Sequence, residues 1–329
     1  MADHQPALKR GLPLLAGLAV LVLASLAFAL AVGSVPLGWQ RLLGVFTGEA
    51  DGFAVDLVLD LRLPRALSAC ATGGMLALAG ALMQALLRNP LADPYILGVS
   101  GGAAVGALGA LMAGLGGYWL SGSAFCGALL SMLLVFALAR GPGEWSATRL
   151  LLTGVVVAAG WGAAISFILA VSPDSTLRGM MFWLLGDLGQ ASDPSFPLLV
   201  LALGLAFGLY TARDLNVLVH GEHKARSLGV ATAGLRLRLY VASSLLTAVA
   251  VTVAGNVGFI GLIAPHLLRL VGAHDHRILL PASALLGAAM LTIADTLART
   301  AAAPLQLPVG VITALLGVPL FLYLLRRSA

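Results

Sequence analysis

Long apolar runs that recur along the whole chain are the feature that most constrains its fold. Hydrophobic residues make up 60% of the 329 residues and charged residues only 10%, so polar side chains cannot coat a water-soluble globule. A helix needs about 20 apolar residues to cross a bilayer, and the runs approach that length. They are continuous rather than alternating, which argues against a transmembrane barrel. The sequence predicts an all-α, polytopic membrane protein.

Charge clusters, prolines and glycines divide the apolar residues into candidate transmembrane helices, which number about ten. We expect them to form one membrane domain over residues 1–329. The eighth is short and contains Pro265, which predicts a short or broken helix that neighbouring helices shelter from lipid. The candidate spans are residues 12–34, 64–87, 95–114, 122–139, 149–171, 195–212, 237–255, 257–271, 278–299 and 308–325.

The distribution of basic residues predicts the orientation of these spans. With the amino terminus inside and ten crossings, most of the 19 lysines and arginines fall on the inner side. The positive-inside rule therefore places both termini of this multi-pass protein in the cytoplasm. The same topology explains the net charge of +5, so nucleic acid is not an expected partner.

Motifs for chemistry within the chain are absent from the sequence. We find no GxxxxGK[ST] phosphate loop, no HExxH and no GxSxG serine, so neither nucleotide hydrolysis nor intramembrane proteolysis is expected. Cys70 and Cys126 lie inside apolar runs, where a small core residue is the expected role. His274 and His276 lie in a charged turn that is typical of a solvated loop. We predict no catalytic residue, no metal and no cofactor.

Asp295 is the one carboxylate predicted within a span, where ion-coupled transporters carry such groups. It precedes Arg299 by four residues near the outer end of its helix, so an i,i+4 ion pair is the favoured interpretation. A stand-alone ion-coupled secondary transporter is therefore only the second candidate function. An intramembrane enzyme is the third.

Four segments of the chain carry a resemblance to a known family. They are LRLPRALSACATGGMLALAGALMQALLRNPLADPYILGVSGGAAVGA (61–107), LNVLVHGEHKARSLGV (215–230), GNVGFIGLIAPHLLRLVGAHDHRILLPASALLGA (255–288) and ADTLARTAAAPLQLPVGVITALLGVPLFLYLL (294–325). These segments resemble the FecCD family, the permease subunits of type II ATP-binding-cassette (ABC) importers for iron-siderophore complexes, haem and cobalamin. The resemblance implies a ten-helix homodimer in the bacterial inner membrane, lipid around it and a metal-chelate substrate. It also implies two cytoplasmic ATPase subunits and an extracytoplasmic substrate-binding protein.

The cytoplasmic elbow, residues 213–236, is the candidate contact with an ATPase subunit. Apolar residues at helical spacing mix with polar ones and Gly221 interrupts them, which predicts two short interfacial helices joined by a glycine turn. A plain connecting loop is the alternative. The predicted docking residues are Asn216, Leu218, Gly221, Glu222, Ala225, Arg226, Leu228 and Gly229.

We expect the gate and the substrate pathway on the fifth span with its following loop, and at the start of the last span. Glycine and proline there permit local bending, although ordinary helix packing is an equal alternative. The candidate residues are Gly160, Gly162, Ser166, Ser172, Pro308 and Gly310.

Three arginines are the candidate docking residues for the binding protein. Arg62 and Arg65 lie at the outer end of the second span, and Arg299 lies at the outer end of the ninth. Such a basic cluster runs against the positive-inside trend, so we expect an acidic partner for it. In the resembled family, arginines at these motif positions pair with glutamates on the two lobes of the binding protein. The alternatives are internal pairs, for example with Asp60 and Asp295, or anchoring at lipid headgroups.

Overall fold

The structure is a computed structural model that describes residues 5–35, 37–139, 147–189, 191 and 193–328, and within these residues it contains helices and no strand. The all-α prediction is therefore confirmed. The helices are α1 (Gln5–Ala31), α2 (Trp39–Thr47), α3 (Gly52–Leu87), α4 (Val99–Met112), α5 (Tyr118–Ala139), α6 (Ala147–Val171), α7 (Asp174–Leu185), α8 (Ser195–Leu218), α9 (Glu222–Ser227), α10 (Thr232–Ala254), α11 (Ile260–Leu270), α12 (His276–Thr300) and α13 (Val309–Ser328).

Seven helices in the described part of the chain are long and apolar enough to cross a membrane. They are α1, α3, α5, α6, α8, α10 and α12, and each overlaps one predicted span. Three shorter apolar helices, α4, α11 and α13, overlap the remaining three predictions. The short eighth helix expected around Pro265 is α11, which has 11 residues.

Two segments that lie between predicted spans, and were not predicted to be helical, contain helices. Residues 35–62 hold α2 and the first turns of α3, and residues 172–194 hold α7. In α2 the apolar residues Trp39, Leu43 and Phe46 recur at helical spacing and share one exposed face. A nine-residue amphipathic helix contributes no continuous apolar run, and this is why a search for such runs missed it.

Helix α3 is the centre of the bundle. It has 36 residues, of which 66–87 are almost wholly buried while the first turns are largely exposed, and its residues Asp56–Arg62 form a π-helical stretch. It packs most extensively against α12 and then against α10, which are themselves mostly buried. Its backbone also passes close to α11, where a side chain at Gly80 would overlap the carbonyl oxygen of Gly261. By contrast, few residues of α6 are fully buried within the chain.

Candidate functional site

Asp295 lies at the centre of the arginine cluster, near the end of α12 that is predicted to be extracytoplasmic. Nη2 of Arg65 donates to Oδ1 of Asp295 at 2.8 Å, and Nε of Arg65 donates to Oδ2 at 3.0 Å. Nε of Arg299 lies 3.2 Å from Oδ2, so the predicted i,i+4 ion pair is confirmed. Asp295 is 1% exposed, and the surrounding protein shields it from solvent. One buried carboxylate thus pairs with two guanidinium groups, and the cluster of three side chains keeps a net positive charge.

Arg62 holds the end of α1 against α3. Its Nη1 donates to the carbonyl oxygen of Leu30 at 2.6 Å, and its Nη2 donates to that of Val35 at 2.5 Å. Carbonyl groups at a helix C-terminus lack intrahelical partners, and a guanidinium with five N–H donors satisfies them. Arg62 is 4% exposed in this arrangement.

The internal pairs that the sequence left as an alternative are present for Arg65 and Arg299. The partner is Asp295 in both cases, and Arg65 also donates to Gln306 at 3.1 Å. The Arg65 side chain keeps 12% of its surface exposed, compared with 8% for Arg299. Docking of an acidic partner onto these three arginines stays a prediction, and Arg65 is the most accessible of them.

The cytoplasmic elbow differs from the two short helices that were predicted. Helix α8 continues to Leu218, because Leu215 and Leu218 extend its buried face, and only α9 is a short helix. Gly221 joins the two with φ +114°, a conformation that strongly favours glycine. The predicted glycine turn is therefore at Gly221, but the helix before it belongs to a long span.

The predicted docking residues of the elbow separate into two groups. Leu218 and Ala225 are buried, and Asn216 binds the start of α12 by donating to Oδ1 of Asp275 at 2.7 Å. Glu222 accepts hydrogen bonds from Arg226, Thr232 and Arg236 and so braces α9 on α10. On the outward side, Arg226, Gly229 and Leu228 are exposed, and Leu228 exposes 64% of its surface. This second group is the surface that a cytoplasmic partner could cover.

The predicted gate residues on α6 face open space within the chain. A side chain added at Gly160 or Gly162 would contact no other residue. The hydroxyl groups of Ser166 and Ser172 donate hydrogen bonds to the carbonyl oxygens of the residues four positions earlier, at 2.9 Å and 2.6 Å. The hydroxyl groups are therefore satisfied within the helix. At Gly160 and Gly162 the helix has no close neighbour in the described part of the chain.

Gly310 lies instead in a tight contact that we call the glycine junction, formed by Gly186, Gly255 and Gly310. A side chain at Gly310 would overlap the carbonyl oxygen of Leu185 at the end of α7. The amide of Val309 donates to the carbonyl oxygen of Gly186 at 2.9 Å, next to the buried Pro308. The junction thus joins the end of α7 to the end of α10 and the start of α13.

The sequence analysis named Gly310 but missed Gly186 and Gly255. Both have positive φ, +83° and +67°, and a side chain at Gly255 would overlap the carbonyl oxygen of Trp183. The available signal was that both glycines directly follow an apolar helix and precede a polar residue, Asp187 or Asn256. That pattern is common at helix ends, so it does not reveal that the two ends meet.

A cavity of about 1090 Å³ lies beside the glycine junction, between α5, α7 and α10. Phe125, Phe182 and Trp183 supply aromatic walls, and Arg178 contributes a positive charge. The hydroxyl of Ser68 is buried at this cavity without a hydrogen-bond partner in the described residues. Among those residues, no group of three histidine, cysteine, aspartate or glutamate side chains is placed to hold a metal ion.

These features define a class of protein. Buried α3, α10 and α12 form a rigid core, α6 keeps a bare apolar face, and a braced cytoplasmic elbow presents an exposed leucine. Such a molecule is a multi-pass membrane protein that leaves apolar surface exposed on α6 and at the elbow. The model of the FecCD transport family matches residues 20–327, and the chain belongs to that family.

Named relatives match this protein over most of its length. It is 41% identical to the hemin transport system permease protein HmuU of Yersinia pestis, over 96% of each chain. It is 45% identical to the cobalamin import system permease protein BtuC of Halobacterium salinarum, over 82% of this chain and 73% of the relative. A solved structure of a metal-chelate type ABC transporter in an inward-facing conformation matches with a TM-score of 0.86 and 30% identity, over 95% of this chain and 98% of the other.

Proposed function

We propose that this chain is the permease subunit of an ABC importer that carries a metal chelate across the bacterial inner membrane. The observation that carries the proposal is the family match over residues 20–327, with relatives named for hemin and cobalamin transport. The substrate class is a haem, ferric siderophore or cobalamin. The ion-coupled alternative is disfavoured because Asp295 is paired with Arg65 and Arg299 rather than held as a free carboxylate.

In the proposed topology all ten apolar helices cross the membrane or enter it, and both termini lie in the cytoplasm. Helix α11, with 11 residues, spans about 17 Å and cannot cross a hydrocarbon core of about 30 Å alone. Most of its residues are buried against α3 and α12, so most of the helix is sheltered from lipid. This packing supports a short helix inside the membrane domain.

A second copy of the chain is the proposed partner of α6. This helix is strongly apolar but almost unburied, and one stretch of it carries Gly160, Gly162 and Ser166 on open surface. Small residues allow helices to approach closely in a bilayer, where apolar burial gives no drive for association. We therefore propose a homodimer whose substrate pathway runs between the two copies of α6, with lipid around the remaining apolar surface.

The cytoplasmic elbow is the proposed contact with two ATPase subunits, one for each copy. Leu228 provides an exposed apolar anchor, and the braces from Glu222 to α10 transmit movement of α9 to the bundle. On the opposite side an extracytoplasmic binding protein delivers the chelate. The chain itself supplies no catalytic group, and the partner subunit hydrolyses ATP.

The decisive experiment is uptake by proteoliposomes that contain this chain, its ATPase subunit and its binding protein. Haem, a ferric siderophore and cobalamin are offered separately, with and without ATP. We expect ATP-dependent accumulation of one of the three, and loss of it when the ATPase or the binding protein is omitted. Accumulation that needs only an ion gradient and this chain would overturn the proposal in favour of a secondary transporter.

The elbow contact is tested by Leu228→Asp, which places a charge on the exposed anchor. We expect weaker association with the ATPase subunit, because the apolar contact is lost and a carboxylate is desolvated. Val271→Asp is the matched control, since Val271 is an equally exposed apolar residue at the end of α11. Equal association of both variants, measured by co-purification, would remove the assignment of Leu228.

A further inference from the structure

A second cavity, of about 620 Å³, lies at the end of the bundle that carries the elbow. Its walls come from the ends of α3, α8 and α11 and the start of α12. Unlike the cavity beside the glycine junction, it is lined mainly by polar and charged side chains. The lining charges are Arg88, Arg269 and Asp275, with three histidines, His220, His274 and His276, between them.

The two arginines approach the cavity from different helices. Arg269, on the last turn of α11, is half-buried and donates to Oε1 of Gln84. This is the one hydrogen bond recorded for it in the described residues, although a guanidinium carries five N–H donors. Arg88, at the end of α3, is exposed and has φ +48°. Both guanidinium groups therefore have donors available for a ligand.

The single acidic side chain of the cavity is already engaged. Oδ1 of Asp275 accepts from the amide of Arg277 at 2.9 Å, as the N-cap of α12, and from Asn216 at 2.7 Å. Asn216 in turn accepts from the amide of His276 at 2.9 Å. The carboxylate thus stabilises the start of α12 and is not available as a counter-charge for both arginines. The remaining polar surface of the cavity is dominated by donors and by positive charge.

We propose that this cavity binds a phosphate-bearing anion, and that the source of the phosphate is the headgroup of an anionic phospholipid in the cytoplasmic leaflet. Arginine forks match phosphate oxygens geometrically, and basic pockets between helices on the cytoplasmic side of membranes hold acidic headgroups. Val219, which lines the cavity beside the polar groups, exposes 49% of its surface and provides apolar contact for an acyl chain. Free phosphate would share the arginines but leave Val219 uncovered.

The site touches the elbow through His220 and Asn216, so an occupant would fix the end of α8 against α11 and α12. The proposal is independent of the chelate that the protein carries. It predicts a preference for anionic over zwitterionic lipid that depends on Arg88 and Arg269.

The test uses the full-length chain, purified in detergent, and native mass spectrometry of retained lipid. Phosphatidylglycerol and phosphatidylcholine are offered in parallel, and inorganic phosphate is added in a third arm as a competitor. Arg88→Gln is the main variant, because its exposed side chain supports no internal contact in the described residues. Arg269→Gln is the second variant. Arg277→Gln is the matched control, an exposed arginine near the same end but outside the cavity.

We expect selective retention of phosphatidylglycerol, reduced about fivefold in Arg88→Gln and unchanged in Arg277→Gln. Arg269→Gln should reduce it at least as much. Equal retention of the two lipids, or an equal loss in all three variants, would overturn the site. Displacement of the lipid by millimolar inorganic phosphate would overturn the lipid as the source and leave a site for free phosphate.

Discussion

At the scale of single residues, the pairing of Asp295 with Arg65 and Arg299 is the least replaceable interaction described here. All three side chains are largely or wholly buried, and two positive charges share one carboxylate. Removing the carboxylate leaves both guanidinium groups desolvated without a counter-charge, which costs far more than the pair contributes as a whole. The cluster therefore has a structural role whether or not a binding protein contacts it.

The first prediction concerns this carboxylate. Asp295→Asn should lower the free energy of unfolding by about 3 kcal/mol, because it breaks a buried ion pair from one side. Asp174→Asn, which changes an exposed residue in the first turn of α7, is the control and should leave stability unchanged. Thermal unfolding in detergent measures both. Similar unfolding temperatures for the two variants would contradict the structural role of Asp295.

The second prediction concerns docking of the binding protein. Arg65→Glu should weaken docking by about tenfold at low salt, and less at high salt, because screening reduces the attraction that is lost. Arg41→Glu is the control, since Arg41 is an exposed arginine on α2 on the same predicted side. Arg62→Glu and Arg299→Glu are measured beside it in nanodiscs. Unchanged docking by folded protein in all three would remove the arginines as docking residues.

At the scale of helices, two glycines control how elements meet. The turn at Gly221 redirects the chain from α8 into α9, and the contact at Gly310 seats α13 on the end of α7. At Gly221 the positive φ favours glycine, although the space around the residue is open. At Gly310 the backbone is helical, but neighbouring atoms leave no space for a side chain. An added methyl group is therefore unfavourable at both positions, for backbone strain at the first and for steric overlap at the second.

The third prediction tests the turn. Gly221→Ala should strain the elbow by about 1–2 kcal/mol, because an L-residue at φ +114° is sterically disfavoured. We expect lower ATPase stimulation by substrate with normal membrane insertion. Gly234→Ala, in the first turns of α10, has equal space and no positive φ, so it should be neutral. Full coupling in Gly221→Ala would show that the turn is not needed.

The fourth prediction tests the glycine junction. In Gly310→Ala the new methyl group would overlap the carbonyl oxygen of Leu185, and we expect a loss of about 1–3 kcal/mol from this overpacking. Gly109→Ala on α4, where a methyl group meets open space, is the control. Thermal unfolding and uptake are measured together. If the Gly310→Ala protein is as stable and active as the control, the glycine junction accommodates a methyl group and the predicted overpacking is wrong.

At the scale of the whole molecule, the unburied apolar face of α6 is the feature that a single chain does not explain. Lipid or a second copy can cover it, and the proposed homodimer assigns the surface around Ser166 to the copy. A cysteine close to a two-fold axis meets its own equivalent, whereas one on a lipid-facing helix does not. Crosslinking therefore distinguishes contact of α6 with a second copy from contact with lipid.

The fifth prediction follows from that geometry. Ser166→Cys, in a chain with Cys70 and Cys126 replaced by serine, should form a crosslink between copies that changes with ATP. Leu203→Cys on α8 is the control, because Leu203 is an exposed apolar residue on a different helix. Crosslinking of both positions to the same extent, or none at Ser166 in intact complexes, would contradict the proposed interface.

The sequence by itself determined the helical class, the family and the positions of the ten apolar helices, seven of which are long enough to cross a membrane in the described part of the chain. It also predicted the pair of Asp295 and Arg299, which lie four residues apart on one helix. These properties are local: the length of an apolar run decides whether a helix suits a bilayer, and helical periodicity decides which neighbours meet.

Only the tertiary structure decided the contacts between distant segments. It brought Arg65 to Asp295, 230 residues away, and turned Arg62 toward the carbonyl groups of α1. It also joined Gly186, Gly255 and Gly310, whose neighbourhoods carry ordinary helix-end patterns. Such contacts depend on how the helices pack around α3, and a residue's hydropathy or spacing along the chain carries no record of which helix will lie beside it.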